Sequence, residues 1–202
     1  MLFRSAHAAL APSFADPVFG AQATFRAVMT ALAEPGTERT IDGIAEAPAA
    51  LGPLPAAIAA TLVDFDTPIW LDAGLSTPEV EGWLAFHTGA PRVAEPDRAA
   101  FAFVSAAERL PDFTAFALGT DLDPSTSTTV VLTVDGFGAG PEFVLAGPGI
   151  AGERRVAIAG APADLVERLA ANREIFPRGV DLLLVGPTSV VGLPRTTRIR
   201  EA

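Results

Sequence analysis

The sequence predicts a single layered α/β domain built around a mixed β-sheet. Three observations predict it. Segments of helical periodicity alternate with short strand-like segments along the chain, the pattern of helices packed on a sheet. Val180–Val185 is almost wholly apolar, as a strand buried on both faces should be. No internal repeat and no linker divides the 202 residues, a length that suits one domain.

Residues 1–15 read as an N-terminal extension and 16–202 as the domain. Asp16-Pro17 opens a helix, with Asp as N-cap and Pro at the first helical position. Val18, Ala21, Phe25, Val28, Met29 and Leu32 recur at helical spacing, and Pro35-Gly36 stops the run. Residues 37–42 read as a strand, Pro53 to about Val63 as an Ala-rich helix, and 68–71 as a short strand. Thr77-Pro78 starts a helix that Gly89-Ala90-Pro91 ends. Residues 99–104 form a strand with Phe101 and Phe103 on one face. Residues 128–134 and 142–146 flank the Gly-rich stretch 136–140, which suggests a hairpin. A strand at 155–159 and a helix from Pro162 to about Asn172 follow. Gly186-Pro187-Thr188-Ser189 then turns the apolar strand into a last strand, Val190–Leu193.

Composition excludes several chemistries. The chain has no lysine, cysteine or tyrosine, and its histidines are His7 and His87 alone. Without lysine no Schiff base to pyridoxal phosphate forms, and a lysine-dependent P-loop is ruled out. Without cysteine there is no thiolate nucleophile and no cysteine-held zinc or iron–sulfur cluster. GC-rich codon usage would also deplete lysine and tyrosine, but the exclusions hold either way. A formal charge of −10 opposes nucleic-acid and anionic-membrane binding. No apolar run is long enough to span a bilayer. The first fifteen residues make a poor signal peptide, because Pro12 interrupts them, so the expected location is cytoplasmic. The positive mean hydropathy of +0.37 hints at a buried subunit surface.

Candidate site residues each carry a structural alternative. His87 ends a helix, where a protonated ring would be favoured, and a half-buried, satisfied histidine is the bland reading. Asp64 and Asp66 could hold a divalent metal or act as an acid–base pair, although Asp66 before Thr67-Pro68 resembles turn chemistry. If the two C-terminal strands form a hairpin, Arg178 and Arg195 lie at the same end and could converge on a phosphate or carboxylate. Thr196 and Thr197 would add hydroxyls, and ordinary ion pairs are the competing reading. Gly147-Pro148-Gly149-Ile150 reads as a tight turn better than as an anion loop, and there is no GxSxG elbow.

A set of segments, in order, resembles the H subunit of the bacterial carbon–phosphorus lyase system, the PhnH family. They are Phe25-Arg26-Ala27-Val28-Met29 running into Ala33-Glu34-Pro35-Gly36, then Asp64–Leu71, Phe86–Pro91, Gly147–Ile150, Phe176–Leu182 and Leu193–Thr197. The resemblance covers nearly the whole chain and is poorer in the first ten or so residues and in 43–56. It implies the fold of pyridoxal-phosphate-dependent transferases without the cofactor, a homodimer, and a core complex with G, I and J subunits. It also implies a part, accessory rather than catalytic, in the step where a phosphonate displaces adenine from ATP. That step yields α-D-ribose 1-methylphosphonate 5-triphosphate when the phosphonate is methylphosphonate. Arg178, Arg195, Asp66, His87 and Thr196 are the expected cleft or interface residues, and no cofactor is expected. The rivals are a cofactorless binding module for phosphonates or ribose triphosphates and a metal-dependent phosphoester hydrolase using Asp64, Asp66 and His87.

Overall fold

The computed structural model describes residues 14–202, so His7 and nearly all of the expected N-terminal extension lie outside the described residues. The elements are α1 (Pro17–Ala33), β1 (Arg39–Thr40), α2 (Pro53–Leu62), β2 (Ile69–Leu71), α3 (Pro78–Thr88), β3 (Phe101–Val104) and β4 (Thr129–Thr133). They continue with β5 (Gly136–Ala146), β6 (Arg154–Ala159), α4 (Leu165–Glu174), β7 (Asp181–Val185), β8 (Ser189–Leu193) and β9 (Arg198–Glu201). The domain's packing reaches back to Phe14, which is buried in the same core as α1.

Local chemistry explains where the helices begin and end. The Asp16 carboxylate accepts from the Val18 and Phe19 amides at 3.1 Å each, and Pro17 has no amide to leave unpaired. Thr77 caps α3 by accepting from Val80 N at 3.2 Å, and Gly89 closes it at φ +69°, a left-handed conformation that favours glycine.

The central strands alternate with a period of two. Phe103, Val131, Leu183, Val185 and Val190 point to one face, where α1, α2 and α3 pack. Val104, Val130, Leu132, Leu182, Leu184 and Val191 point to the other, onto α4 and a second sheet. Each such buried side chain contributes about 1.5–3 kcal/mol by leaving water. The larger sheet has six strands in the order β1-β8-β7-β4-β3-β2. Strands β2, β3, β4 and β7 run parallel and β8 antiparallel to β7, so the expected mixed sheet and C-terminal hairpin are both present.

Three expectations need correction. Residues 128–134 and 142–146 do not form a hairpin, because both edges of β4 are taken by parallel partners β3 and β7. The Gly-rich stretch is instead the start of β5, with Gly136, Gly138 and Gly140 at positive φ, and the β5–β6 register jumps between Phe137 and Glu142. There are accordingly two sheets, the second in the order β6-β5-β9. Val190–Leu193 is not the last strand, since β9 returns to pair with β5. β1 spans two residues rather than 37–42, although Ile41 N still donates to Thr188 O at 3.3 Å.

Candidate functional site

The register Ile69↔Phe101↔Thr129↔Asp181 aligns the amino ends of the four parallel strands. All five expected site residues lie at this end of the sheet. They fall into two groups, one beside β2 and one beside β7 and β8. Three strand spacings, about 14 Å, separate those strands.

The first group is Asp66 and His87. The chain after α3 returns to β2, where Ile69 N donates to Pro91 O at 2.9 Å. That return sets the end of α3 against the turn at residues 64–67, with a β-carbon on Gly89 falling 3.6 Å from Phe65. The turn is held by Asp64, whose Oδ1 accepts from Asp66 N at 3.0 Å and from the Thr67 hydroxyl at 2.6 Å. Those bonds, the hydroxyl first, lower the Asp64 pKa below its ordinary value. Asp64 is a turn residue, and Asp66 is exposed beside it. His87 is half-buried, as the structural reading expects, but its ring is not satisfied by a hydrogen bond at Nε2. Its imidazole stacks at 4.3 Å on Trp83 and meets Phe86 edge-on at 5.0 Å. Nε2 is buried without a hydrogen-bond partner, and burial pushes the pKa below 6.5. Burial thus disfavours the protonated ring, against the pull of the helix end. Among the described residues no three His, Asp or Glu side chains are grouped to hold a metal ion.

The second group is Arg178, Arg195 and Thr196. Arg195 is 12% exposed, and every guanidinium N–H is committed. Nε donates to Asp181 Oδ1 at 3.2 Å and Nη2 to Asp181 Oδ2 at 2.6 Å. Nη1 donates to the carbonyls of Pro124 at 3.0 Å and Pro177 at 3.2 Å, and Nη2 also to the Ser127 hydroxyl. Arg195 therefore fastens the 124–127 loop and the segment at Pro177 to β7 and has no donor left for an external anion. It does not converge with Arg178 on a ligand. Arg178 is exposed and meets Asp121 at 3.3 Å. The Thr197 hydroxyl, expected as a second donor, is buried, and Thr197 is only 2% exposed.

Two shallow recesses flank Phe176, which is 58% exposed. One, of about 310 Å³, is lined by Pro148, Arg173, Phe176 and Thr196. The other, of about 350 Å³, lies among Pro124, Pro177, Asp181, Pro194, Arg195 and Thr196. Asp181 and Arg195 neutralise each other, which leaves Arg173 as the unbalanced charge in the linings. Arg173 was missed in the sequence. It sits in the last turn of α4, where a cation complements the helix dipole, and no local pattern sets it apart from other surface arginines.

Four segments distant in sequence thus meet here: the loop at 124–125, the turn around Pro148, residues 173–181, and residues 194–196. Ile150 N closes that turn onto Gly147 O at 3.1 Å, as the tight-turn reading expects. The model of a family described as bacterial phosphonate metabolism protein (PhnH) matches residues 12–200. The chain belongs to the PhnH family. It is 43% identical over 189 residues to the alpha-D-ribose 1-methylphosphonate 5-triphosphate synthase subunit PhnH of Rhizobium meliloti (strain 1021), covering 94% of each chain. It is also 40% identical over 82 residues to the putative C-P lyase subunit protein HtxG of Stutzerimonas stutzeri, covering 41% of this chain and 42% of that protein. No helix among the described residues is long and apolar enough to cross a membrane.

Proposed function

We propose that this chain is the H-type subunit of a carbon–phosphorus lyase system. It acts with partner subunits in forming α-D-ribose 1-methylphosphonate 5-triphosphate from ATP and methylphosphonate. The observation that carries this reading is the near full-length relationship to a synthase subunit of that name. Its place is accessory rather than catalytic. His87 leaves its buried Nε2 unpartnered, Asp64 is locked in a turn, and Arg195 is fully committed within the fold. The partners are a second copy of the chain and the G, I and J subunits, and the compartment is the cytoplasm. The fold resembles that of pyridoxal-phosphate-dependent transferases. The residues present do not fit that cofactor, because the chain has no lysine to carry it.

The experiment mixes the purified chain with the other subunits and follows assembly by size-exclusion chromatography. Co-elution, with no turnover of ATP and methylphosphonate by the chain alone, is expected. A chain that elutes apart from all of them at micromolar concentration would sink the proposal.

A binding-module reading has one observation behind it: among the described residues Arg173 has no carboxylate partner, and it lies beside Thr196. Calorimetry with methylphosphonate and with ATP on the isolated chain tests it, and absence of heat with both removes it. The metal-dependent hydrolase lacks geometric support, since Asp64, Asp66 and His87 do not form a metal-holding group.

A further inference from the structure

The outward face of the second sheet carries a cluster of cations that nothing described above uses. Phe143 and Leu145 of β5 point into the core. Val144 between them therefore points outward, with Arg155 of β6 and Arg200 of β9 beside it in register. Two residues further along β5, Ala146 pairs with Arg198, and alternation puts Glu142 and Glu153 on the same face. Three arginines thus share this face with two glutamates, which makes it locally basic in a chain whose formal charge is −10. Both glutamates are taken. Arg155 Nη1 meets Glu142 Oε2 at 3.0 Å. Arg200 reaches across β5, and its Nη2 donates to both oxygens of Glu153, at 3.1 and 3.0 Å. Val144 is only 3% exposed although it faces outward, because the stems of these paired side chains close over it. Arg198 is left over: it is exposed and, among the described residues, forms no ion pair. A recess of about 450 Å³ opens beside it, floored by Val144, Ala146 and Ile199 and walled by Glu153, Arg198 and Arg200.

We propose that this recess is a binding site for a phosphate-type polyanion, held between Arg198 and Arg200, with Glu153 as the group it displaces. The recess has the volume of a small-ligand site. Two residues apart on one strand, the arginines point the same way from α-carbons about 7 Å apart. Two linked phosphoryl groups can accept from both guanidiniums at once, whereas a single one fills only one fork. The apolar floor excludes water from one side of the contact, which strengthens it. The ion pair that must open is weak, since Arg200 and Glu153 are 58% and 60% exposed and solvent screens them. Once opened, Glu153 faces the anion as a like charge and opposes its binding. The site shares no lining residue with the recesses beside Phe176 and stands independently of the function proposed above.

Calorimetry of the full chain with pyrophosphate at low ionic strength tests the site. Binding that weakens with added salt is expected. Arg198→Ala should weaken it by about tenfold, the loss of one charge-assisted contact. Glu153→Gln should tighten it several-fold, a change that a merely structural role for Glu153 would not produce. Arg173→Ala, in the other recess, should leave it unchanged, which separates this site from the binding-module reading. Orthophosphate should bind more weakly than pyrophosphate, and equal affinity would overturn the two-arginine geometry. Uridine diphosphate carries the same group on a nucleoside. Tighter binding than pyrophosphate identifies a nucleotide as the source of the group, and equal or weaker binding identifies the free anion. Absence of heat with pyrophosphate at millimolar concentration would overturn the site, and so would binding that Arg198→Ala leaves intact or Arg173→Ala abolishes. Should Arg198→Ala fail to fold, a Glu153→Gln protein that binds no tighter than the wild type would overturn it as well.

Discussion

Arg195 and Asp181 form the ion pair on which the amino end of the sheet is assembled. Asp181 Oδ1 accepts from the Arg195 amide at 2.9 Å as well as from the guanidinium, so one carboxylate fixes both backbone and side chain of its partner. The other guanidinium bonds then hold the loop at 124–127 and the segment at Pro177. This is a structural device, and it separates the arginine that builds the surface from those that face solvent.

Replacing Arg195 by alanine should destabilise the fold by about 3 kcal/mol, because a carboxylate, two carbonyls and a hydroxyl lose their donor together. In a domain of this size that is about 6–12 °C of melting temperature. Arg195→Lys should recover little, since one ammonium cannot reproduce the planar fork. Thermal denaturation followed by circular dichroism reads both, and an unchanged midpoint for Arg195→Ala would show that the hub is not structural.

Arg173 should behave in the opposite way. Arg173→Ala removes an exposed side chain with no carboxylate partner among the described residues, so the melting temperature should move by less than about 2 °C. Product formation by the reconstituted complex should nevertheless fall, by about tenfold for loss of one charge-assisted contact. Equal activity with and without the guanidinium would show that the recess beside Phe176 plays no part.

His87 predicts a stability that depends on pH. Burial holds the folded ring's pKa below 6.5. The unfolded chain therefore binds a proton as the pH falls through 6.5 while the folded chain does not. Stability is then complete above that value and declines below it, until the folded ring also titrates. Asp64, Asp112 and Asp164 are lowered from 3.8 and so act only in a more acidic range. Denaturant titrations at about pH 7.5 and about pH 5 should differ for the wild type, and the difference should shrink in His87→Phe. An undiminished difference in that variant would assign the effect elsewhere.

Two glycines should respond with opposite signs to the same added methyl group. A β-carbon on Gly192 would lie 2.6 Å from Ala31 O, at the contact between β8 and α1, so Gly192→Ala should cost about 1–3 kcal/mol. A β-carbon on Gly82 meets nothing within 4 Å, and Gly82 lies inside α3, so Gly82→Ala should stabilise by about 0.5–1 kcal/mol. Denaturant midpoints decide both signs.

Much of the fold was legible because its signals are local. Asp16-Pro17, Thr77-Pro78 and Gly89 mark helix ends within a few residues, and the apolar run of β7 could only be an interior strand. The second sheet was hidden because its evidence is non-local. Residues 136–140 carry turn chemistry yet extend a strand through a large bulge, and β9 is a short charged strand recognisable only by its pairing with β5. The site followed the same rule. The hairpin correctly brought residues 178 and 195 to one end, but the donors of Arg195 go to Pro124 and Ser127, some seventy positions away in sequence. The half-buried setting of His87 was legible from its helix position, but its unpartnered Nε2 depends on contacts the sequence does not write.

The central claim is that this chain is a required accessory subunit of the synthase. Phosphorus NMR of ATP and methylphosphonate with the reconstituted subunits tests it most directly, run with and without this chain. The account predicts resonances of the ribosyl phosphonate triphosphate only when the chain is present with its partners, and none with the chain alone. Undiminished product in its absence would contradict the claim.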